Sequence, residues 1–128
     1  MKNIEVVAAI IINKDKILAT QRGYGEFKGF WEFPGGKIET GELKEEALIR
    51  EIREELAAEI IIKGYFMMVE YDYPEFHLTL HCYLCELLNG EYKLIEHDNA
   101  KWLRKNELDR VGWLPADIEI IERLKEEL

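Results

Sequence analysis

Residues 43–56 constrain the fold most, because they are strong helix formers and include neither glycine nor proline. At about 100° of rotation per residue, one face of the predicted helix is apolar and should be buried: Leu48, Ile49, Ile52 and Leu56. Three acidic residues fall in the neighbouring sector, since they are spaced i, i+3 and i+4: Glu51, Glu54 and Glu55. Ala47 lies in that sector too, so the helix presents three carboxylates around a gap.

This acidic face has two interpretations. Like charges at this spacing destabilise a helix by roughly 0.2–0.5 kcal/mol per pair, and a purely structural surface could have carried lysines instead. Carboxylate oxygens are the ligands that Mg²⁺ prefers, with water and substrate phosphate completing its coordination. Charged helix faces are also commonly exposed surface. Taken alone, the helix leaves open a Mg²⁺ site, in which Mn²⁺ could substitute, and an ordinary solvated face.

The loop before the helix favours the metal site. The sequence Pro34-Gly35-Gly36-Lys37 should break regular structure, and it leads through Gly41 and Glu42 into the helix. Glycine lets the backbone approach a ligand closely, so the carbonyl of Gly35 could reach the same cation. Without the acidic helix, the two glycines would indicate only a tight turn.

The rest of the chain alternates apolar runs with turn residues. Strands are predicted at residues 5–12, 16–21, 30–33, 59–71, 76–88, 92–95 and 100–103. Asn89-Gly90 predicts a turn that starts a hairpin towards residues 92–95. A last helix is predicted at residues 115–128, with Pro115 at its start and a buried face made of Ile118, Ile121 and Leu124. This order predicts a mixed sheet between helices.

Length and charge limit the function. A chain of 128 residues predicts one domain, spanning residues 1–128. The net charge of −9 would repel the phosphates of DNA or RNA, so we expect no nucleic acid polymer as a partner. A small phosphorylated substrate is compatible with this charge if divalent cations screen it. No apolar run approaches the length of a membrane span, so no membrane association is expected.

The two cysteines indicate packing rather than metal binding. Cys82 and Cys85 lie three residues apart on a predicted strand, so their side chains should point to opposite faces. That arrangement suits neither shared zinc ligation nor a disulfide. Without a disulfide framework or an export signal, a cytoplasmic location is expected.

The sequence GGKIETGELKEEALIREIREELAA resembles the signature of the Nudix hydrolases, G-x₅-E-x₇-R-E-U-x-E-E-x-G-U, where U is bulky and apolar. The matching positions are Gly36, Glu42, Arg50, Glu51, Ile52, Glu54 and Glu55. Two positions differ, because Ala57 replaces the glycine and Ala58 is small. Either Ala57 adopts the left-handed conformation, at a cost of about 1 kcal/mol, or the helix ends differently.

The resemblance implies an α+β fold, the Nudix α/β/α sandwich with a mixed central β-sheet. It also implies that divalent cations are bound by Glu51, Glu54 and Glu55, with the Gly35 carbonyl as a further ligand. Arg50 and Glu42 would brace the loop against the helix, although Arg50 could instead form an ordinary surface pair with Glu46. Glu54 is the first candidate for the general base.

The flanking sequence resembles the MutT-like and CTP-cleaving members of the same family. The stretches IEVVAAIIIN, ILATQR and WEFPGGK are similar to their first strands and loop. Glu96-His97 followed by Ala100-Lys101-Trp102 resembles the loop that supplies another metal-binding or base glutamate. Glu96 is therefore the second candidate for the base, and a solvent-exposed loop glutamate is the alternative.

The nucleotide would be bound by the glycine loop, Pro34 to Lys37, and by residues on either side of it. By the resemblance, an ionised Asp117 would accept hydrogen bonds from a base, or would only stabilise the N-terminus of the last helix. Arg22 could reach the phosphates. Four aromatic residues could stack on the base or belong to the core: Phe33, Tyr24, Phe27 and Trp31. His77 and His81 share a strand face and are expected to be surface or cleft lining.

The implied reaction is hydrolysis of a nucleoside triphosphate to the monophosphate and pyrophosphate. The expected substrates are cytidine nucleotides or oxidised purine deoxynucleotides such as 8-oxo-dGTP, bound as small molecules by a monomer or homodimer. Two alternatives are a pyrophosphatase for ADP-ribose or dinucleoside polyphosphates and a non-catalytic nucleotide-binding module.

Overall fold

Seven strands and two α-helices lie within residues 2–127, the part of the chain that the computed structural model describes. The strands are β1 Lys2–Asn13, β2 Lys16–Arg22, β3 Trp31–Glu32, β4 Gly35–Lys37, β5 Ile60–Tyr73, β6 Phe76–Leu87 and β7 His97–Arg104. The helices are α1 Lys44–Leu56 and α2 Ile118–Glu127. Two short 3₁₀ turns lie at Lys105–Arg110 and Pro115–Asp117. None of these helices is long and apolar enough to cross a membrane.

The strands form one mixed sheet in the order β3-β2-β1-β6-β5, with β4 beside β1 and β7 beside β2. Strands β1 and β6 are parallel, while the other pairings are antiparallel. Along one edge β1 pairs with β4 near its middle and with β2 only at its end. The predicted mixed sheet is therefore confirmed.

A helix covers each face of this sheet. Alternate residues of β1 enter different cores: Val7, Ala9 and Ile11 pack with α1, and Ala8 and Ile10 pack on the side of α2. Cys82 and Cys85 divide in the same way and are free, buried thiols, as predicted. The three layers confirm the α/β/α sandwich.

The helix α1 has the predicted register. Leu48, Ile52 and Leu56 are fully buried, and Ile49 is partly buried against them. Ala47, predicted to lie in the acidic sector, is instead fully buried in the same core. The helix ends at Ala57, whose backbone is left-handed with φ 49° and ψ 42°, and whose N–H donates to the Arg53 carbonyl at 3.1 Å. Of the two ways in which the helix could end, the chain adopts the one that costs about 1 kcal/mol.

Two predictions of local structure are wrong. Gly35 and Gly36 do not break regular structure; they belong to β4, which pairs with β1. A Cβ on Gly35 would lie 1.9 Å from the Val7 carbonyl oxygen, so only glycine permits this pairing. Residues 92–95 do not form a hairpin strand after Asn89-Gly90. Instead the Lys93 and Ile95 N–H groups donate to the carbonyls of Leu56 and Glu55, which lie in the last turn of α1 and would otherwise lack partners.

The last two elements differ in extent. Strand β7 is longer than the predicted 100–103, because it pairs with β2 along its length. The helix predicted at 115–128 begins as a 3₁₀ turn and becomes α-helical at Ile118, and Leu128 lies outside the described residues. Its buried face is Ile120, Ile121 and Leu124, whereas Ile118 is exposed.

Candidate active site

A cleft of about 560 Å³ connects the acidic face of α1 with the start of α2. Glu51, Glu54 and Glu55 line one end, with Gly35 and Gly36 of β4. The other end is apolar and contains Phe33, Leu114 and Asp117. Of the other predicted site residues, Arg22, Lys37 and Glu96 also line it, whereas Pro34 is buried and does not. Residues that are distant in sequence therefore share one cleft.

Arg50 holds the glycine loop against α1. Its Nε donates to Glu42 Oε2 at 2.7 Å, and its Nη2 donates to Glu42 Oε1 at 2.9 Å and to the Lys37 carbonyl at 3.0 Å. These bonds, together with the Glu39 N–H, lower the pKa of Glu42 to about 2. The alternative partner Glu46 instead accepts from the Leu43 N–H. The brace expected from the resemblance is present.

Arg50 also contacts the acidic face. Its Nη1 lies 2.9 Å from Glu51 Oε1 and 3.0 Å from Glu54 Oε1. Within residues 2–127, no three carboxylate, imidazole or thiol groups converge as a preformed metal site. One guanidinium thus partly offsets two of the three negative charges.

Glu55 is the least solvated of the three glutamates. It is 9% exposed, and its Oε1 accepts from the Gly35 N–H at 3.3 Å. Burial, and then repulsion from Glu51 and Glu32, raise the pKa of Glu55 to about 9. A carboxylate buried among other carboxylates fits a divalent cation, because the cation would favour the ionised form that the protein alone disfavours. Hard oxygen donors make the set suitable for Mg²⁺.

Gly36 leaves room for Glu51. A Cβ on Gly36 would lie 2.3 Å from Glu51 Oε2, so any larger residue must displace that carboxylate. We expect Gly36→Ala to lower kcat/KM about tenfold, since small misplacements of a catalytic group are costly. The carboxylate is the end of a side chain, so the free energy of unfolding should change little. Steady-state kinetics and urea unfolding would test this.

The matched control is Gly64→Ala, because a Cβ on Gly64 of β5 meets nothing within 4 Å. It should leave kcat/KM unchanged. Wild-type activity in Gly36→Ala would show that the position of Glu51 is unimportant.

Glu54 and Glu96 are the more accessible acids. The side chain of Glu54 is 54% exposed. Glu96 Oε1 accepts from the hydroxyl of Tyr24 at 3.4 Å, although these residues are far apart in sequence. Both candidate bases line the same cleft, and Glu96 is exposed there, so its role as a base stays a prediction.

Asp117 is buried at the apolar end, 5% exposed, and its Oδ2 accepts from the Phe33 N–H at 3.3 Å. Burial, and then the charge of Glu32, raise the pKa of Asp117 to about 8. The expectation of an ionised aspartate is therefore wrong: at neutral pH this group is mainly a carboxylic acid, which can donate as well as accept a hydrogen bond. Because the Asp117 side chain bonds to Phe33, it faces the cleft and not the N-terminus of α2.

The aromatic residues divide between core and cleft. Phe33 is buried and stacks on Trp113 with ring centroids 4.8 Å apart. Trp31 is also in the core, whereas Tyr24 is 62% exposed. Phe27 lines the cleft and contacts Tyr73. Neither of the two histidines predicted to be surface or cleft lining lines the cleft. His77 is partly exposed and contacts Asp72 and Glu70, whereas His81 is buried and contacts Tyr65, so the prediction is wrong for His81.

The sequence reasoning missed Glu32 and gave no role to His97. Glu32 binds Arg22 through both oxygens, at 2.6 and 3.2 Å, and lies 3.4 Å from His97 Nε2. Burial alone would raise the pKa of Glu32, but donors on His97 and Arg22 hold it below its ordinary value. A signal existed, since Glu32 is a lone charge in the apolar run Phe30 to Phe33.

The mixed sheet, strand β4 with its two glycines and the acidic face of α1 meet at one cleft. This arrangement defines a class of hydrolases. Within that class the chain belongs to the NUDIX domain family, whose sequence model matches residues 7–123.

Similar proteins carry related names. A "CTP pyrophosphohydrolase" of Escherichia coli K12 is 37% identical over 95% of this chain and 91% of its own length. An "8-oxo-dGTP diphosphatase" of the same organism is 34% identical, over 98% of both chains. The solution structure of a MutT protein of the Nudix family from methicillin-resistant Staphylococcus aureus 252 superposes with a TM-score of 0.79, at 40% identity and full coverage of both chains.

Proposed function

We propose that the protein is a Mg²⁺-dependent pyrophosphohydrolase that converts a nucleoside triphosphate to the monophosphate and pyrophosphate. The observation that carries this proposal is the buried Glu55, held against the Gly35 N–H beside Glu51 at one end of a cleft of nucleotide size. The names of the two Escherichia coli relatives support the reaction.

The metal would be held by oxygen atoms of Glu51, Glu54, Glu55 and the Gly35 carbonyl, with Glu96 as a further ligand. Bound there, Mg²⁺ would neutralise charge on the polyphosphate and lower the pKa of a water near it. Glu54 would accept the proton of the attacking water on a carboxylate oxygen, and Glu96 is the second candidate for this role. Arg50 keeps Glu51 and Glu54 in place, and Arg22, anchored by Glu32, adds positive charge in the cleft.

Cytidine nucleotides and oxidised purine deoxynucleotides such as 8-oxo-dGTP are the substrates we propose. A protonated Asp117 offers one donor and one acceptor, and both bases present a donor beside an acceptor on one edge. The walls of the cleft next to Asp117 are apolar, through Leu78, Leu80 and Leu114. The free thiols of Cys82 and Cys85 suit a reducing cytoplasm.

A nucleotide panel tests the proposal. The protein is mixed with CTP, dCTP, 8-oxo-dGTP, GTP and ADP-ribose, with Mg²⁺ or with EDTA, and products are identified by chromatography and phosphorus NMR. We expect a monophosphate and pyrophosphate in the presence of Mg²⁺ and no turnover with EDTA. Orthophosphate as the product, or no hydrolysis of any triphosphate, would contradict it; cleavage of ADP-ribose alone would favour the alternative pyrophosphatase.

A further inference from the structure

His97 is a buried histidine at the junction of the two ends of the cleft. Its side chain is only 6% exposed. It is the first residue of β7 and pairs with Arg22 across a β-bulge between Gln21 and Arg22. The bulge shifts the register at the end of the strand, which is a common way for a sheet to re-aim a side chain next to a site.

Two carboxylates lie near one nitrogen of this imidazole. His97 Nε2 is 3.4 Å from Glu32 Oε2 and 3.9 Å from Glu55 Oε1. The other nitrogen, Nδ1, is buried and has no hydrogen-bond partner among residues 2–127. Since a ring proton is stabilised where an acceptor is present, the Nε2–H tautomer is favoured, and its proton faces both carboxylates.

Glu32 in turn is fixed by Arg22. The bidentate ion pair leaves Glu32 little freedom to rotate, and its Oε2 is the oxygen that faces His97. A chain of contacts therefore runs from Arg22 through Glu32 and His97 to Glu55. It connects strands β2 and β3 with the acidic end of the cleft.

We propose that His97 is a positioning residue that holds the Glu55 carboxylate for cation binding, by keeping the Nε2 edge of its ring, which lies nearer to Glu32, against Glu55. The inference rests on the proposed function, because it assigns Glu55 to the metal. Outer hydrogen-bond partners fix the orientation of ligating carboxylates, and a ligand held in one rotamer loses less freedom when it binds. Glu55 accepts a hydrogen bond from the Gly35 N–H, and His97 Nε2 lies 3.9 Å from the same oxygen, so groups from β4 and from β7 approach this carboxylate.

The test compares three variants of the full chain by titration with Mn²⁺ alone, with free Mn²⁺ measured by EPR. His97→Leu should weaken Mn²⁺ binding about 10–100-fold, the usual effect of losing an outer partner. His97→Gln should keep near wild-type affinity, because its amide can place a donor where Nε2–H lies. His77→Leu is the matched control, since His77 contacts Asp72 and Glu70 away from the cleft, and it should bind Mn²⁺ as the wild type does.

Thermal unfolding of each metal-free variant separates positioning from packing. Equal losses of Mn²⁺ affinity in His97→Leu and His97→Gln, or wild-type affinity in His97→Leu, would overturn the inference. Near wild-type Mn²⁺ affinity in His97→Gln together with weak binding in His97→Leu, when both variants are equally stable, would support it. If the wild type binds no Mn²⁺, the proposed function itself fails and the inference fails with it, whereas Mn²⁺ binding by the wild type isolates the role of His97.

Discussion

Replacement of Glu55 by glutamine is expected to lower kcat at least about a hundredfold, roughly 2.7 kcal/mol in the barrier, while making the metal-free protein more stable. Glutamine retains an oxygen for the Gly35 N–H but carries no charge for the metal. The variant also removes a buried acid from the neighbourhood of Glu51 and Glu32. The free energy of unfolding should therefore rise by a few kcal/mol near neutral pH, at about 1.4 kcal/mol for each pH unit above the unfolded pKa.

The direction of the stability change follows from the raised pKa. Because Glu55 holds its proton up to about pH 9 in the folded chain, the folded state binds more protons than the unfolded state, in which a glutamate titrates at about 4.3. The stability that this group contributes is complete below the unfolded pKa and is lost as pH rises towards the folded pKa. The glutamine variant loses nothing, so its advantage should grow with pH across this window.

Steady-state kinetics with Mg²⁺ and urea unfolding in EDTA measure the two effects separately. The matched control is Glu45→Gln, which changes a glutamate in the first turn of the same helix that accepts a long hydrogen bond from the Tyr83 hydroxyl, at 3.5 Å. It should change neither kcat nor the free energy of unfolding appreciably. If Glu55→Gln destabilised the protein and left kcat unchanged, Glu55 would be a structural residue and the proposed metal site would be wrong.

The acidic half of the site was predictable because its geometry is local. Helical periodicity alone places Glu51, Glu54 and Glu55 beside the buried stripe, and the structure has that register. The close approach of the glycine loop was also expected, although its strand pairing was not. Gly35 pairs with Ala8 of β1, a partner that only the tertiary fold supplies.

The remaining half depends on contacts between distant parts of the chain. His97 meets Glu32 and Glu55 only because β7 pairs with β2 beside β3, and no periodicity in the sequence encodes that order. The segment at residues 92–95 shows the same limit, since its N–H groups go to carbonyls of α1 and not to a neighbouring hairpin strand. A strong turn signal at Asn89-Gly90 could not reveal that competing partner.

The ionisation of Asp117 is a third property that no sequence pattern contains. An aspartate next to Pro115 and Ala116 looks like a solvated residue at a helix start. Its raised pKa results from burial and from the charge of Glu32, which comes from a different strand. The cleft thus contains two acids, Glu55 and Asp117, that are both kept from ionising, one at each end. Sites of this kind commonly trade stability for function.

Replacement of Asp117 by asparagine is expected to remove much of the loss of stability that the wild type shows at alkaline pH. The pKa of Asp117 is raised from an ordinary 3.8 to about 8. Its contribution to the free energy of unfolding is complete below the unfolded pKa and is lost progressively as pH rises to about 8, at up to about 1.4 kcal/mol per pH unit. Asparagine is close in shape to the protonated acid, can accept from the Phe33 N–H, and does not titrate.

The difference in unfolding free energy between Asp117→Asn and wild type should therefore be smallest below about pH 4 and be larger by several kcal/mol near about pH 8. Taking the difference cancels the contribution of Glu55, which is present in both proteins. The control is Asp109→Asn, an exposed aspartate paired with Lys125, for which no such pH-dependent difference is expected. In Asp117→Asn, the KM for the preferred triphosphate should lose its dependence on pH around 8, because asparagine keeps one donor and one acceptor at every pH. A difference in stability that stays constant with pH would mean that Asp117 is already ionised, and the base would then be recognised by an acceptor alone.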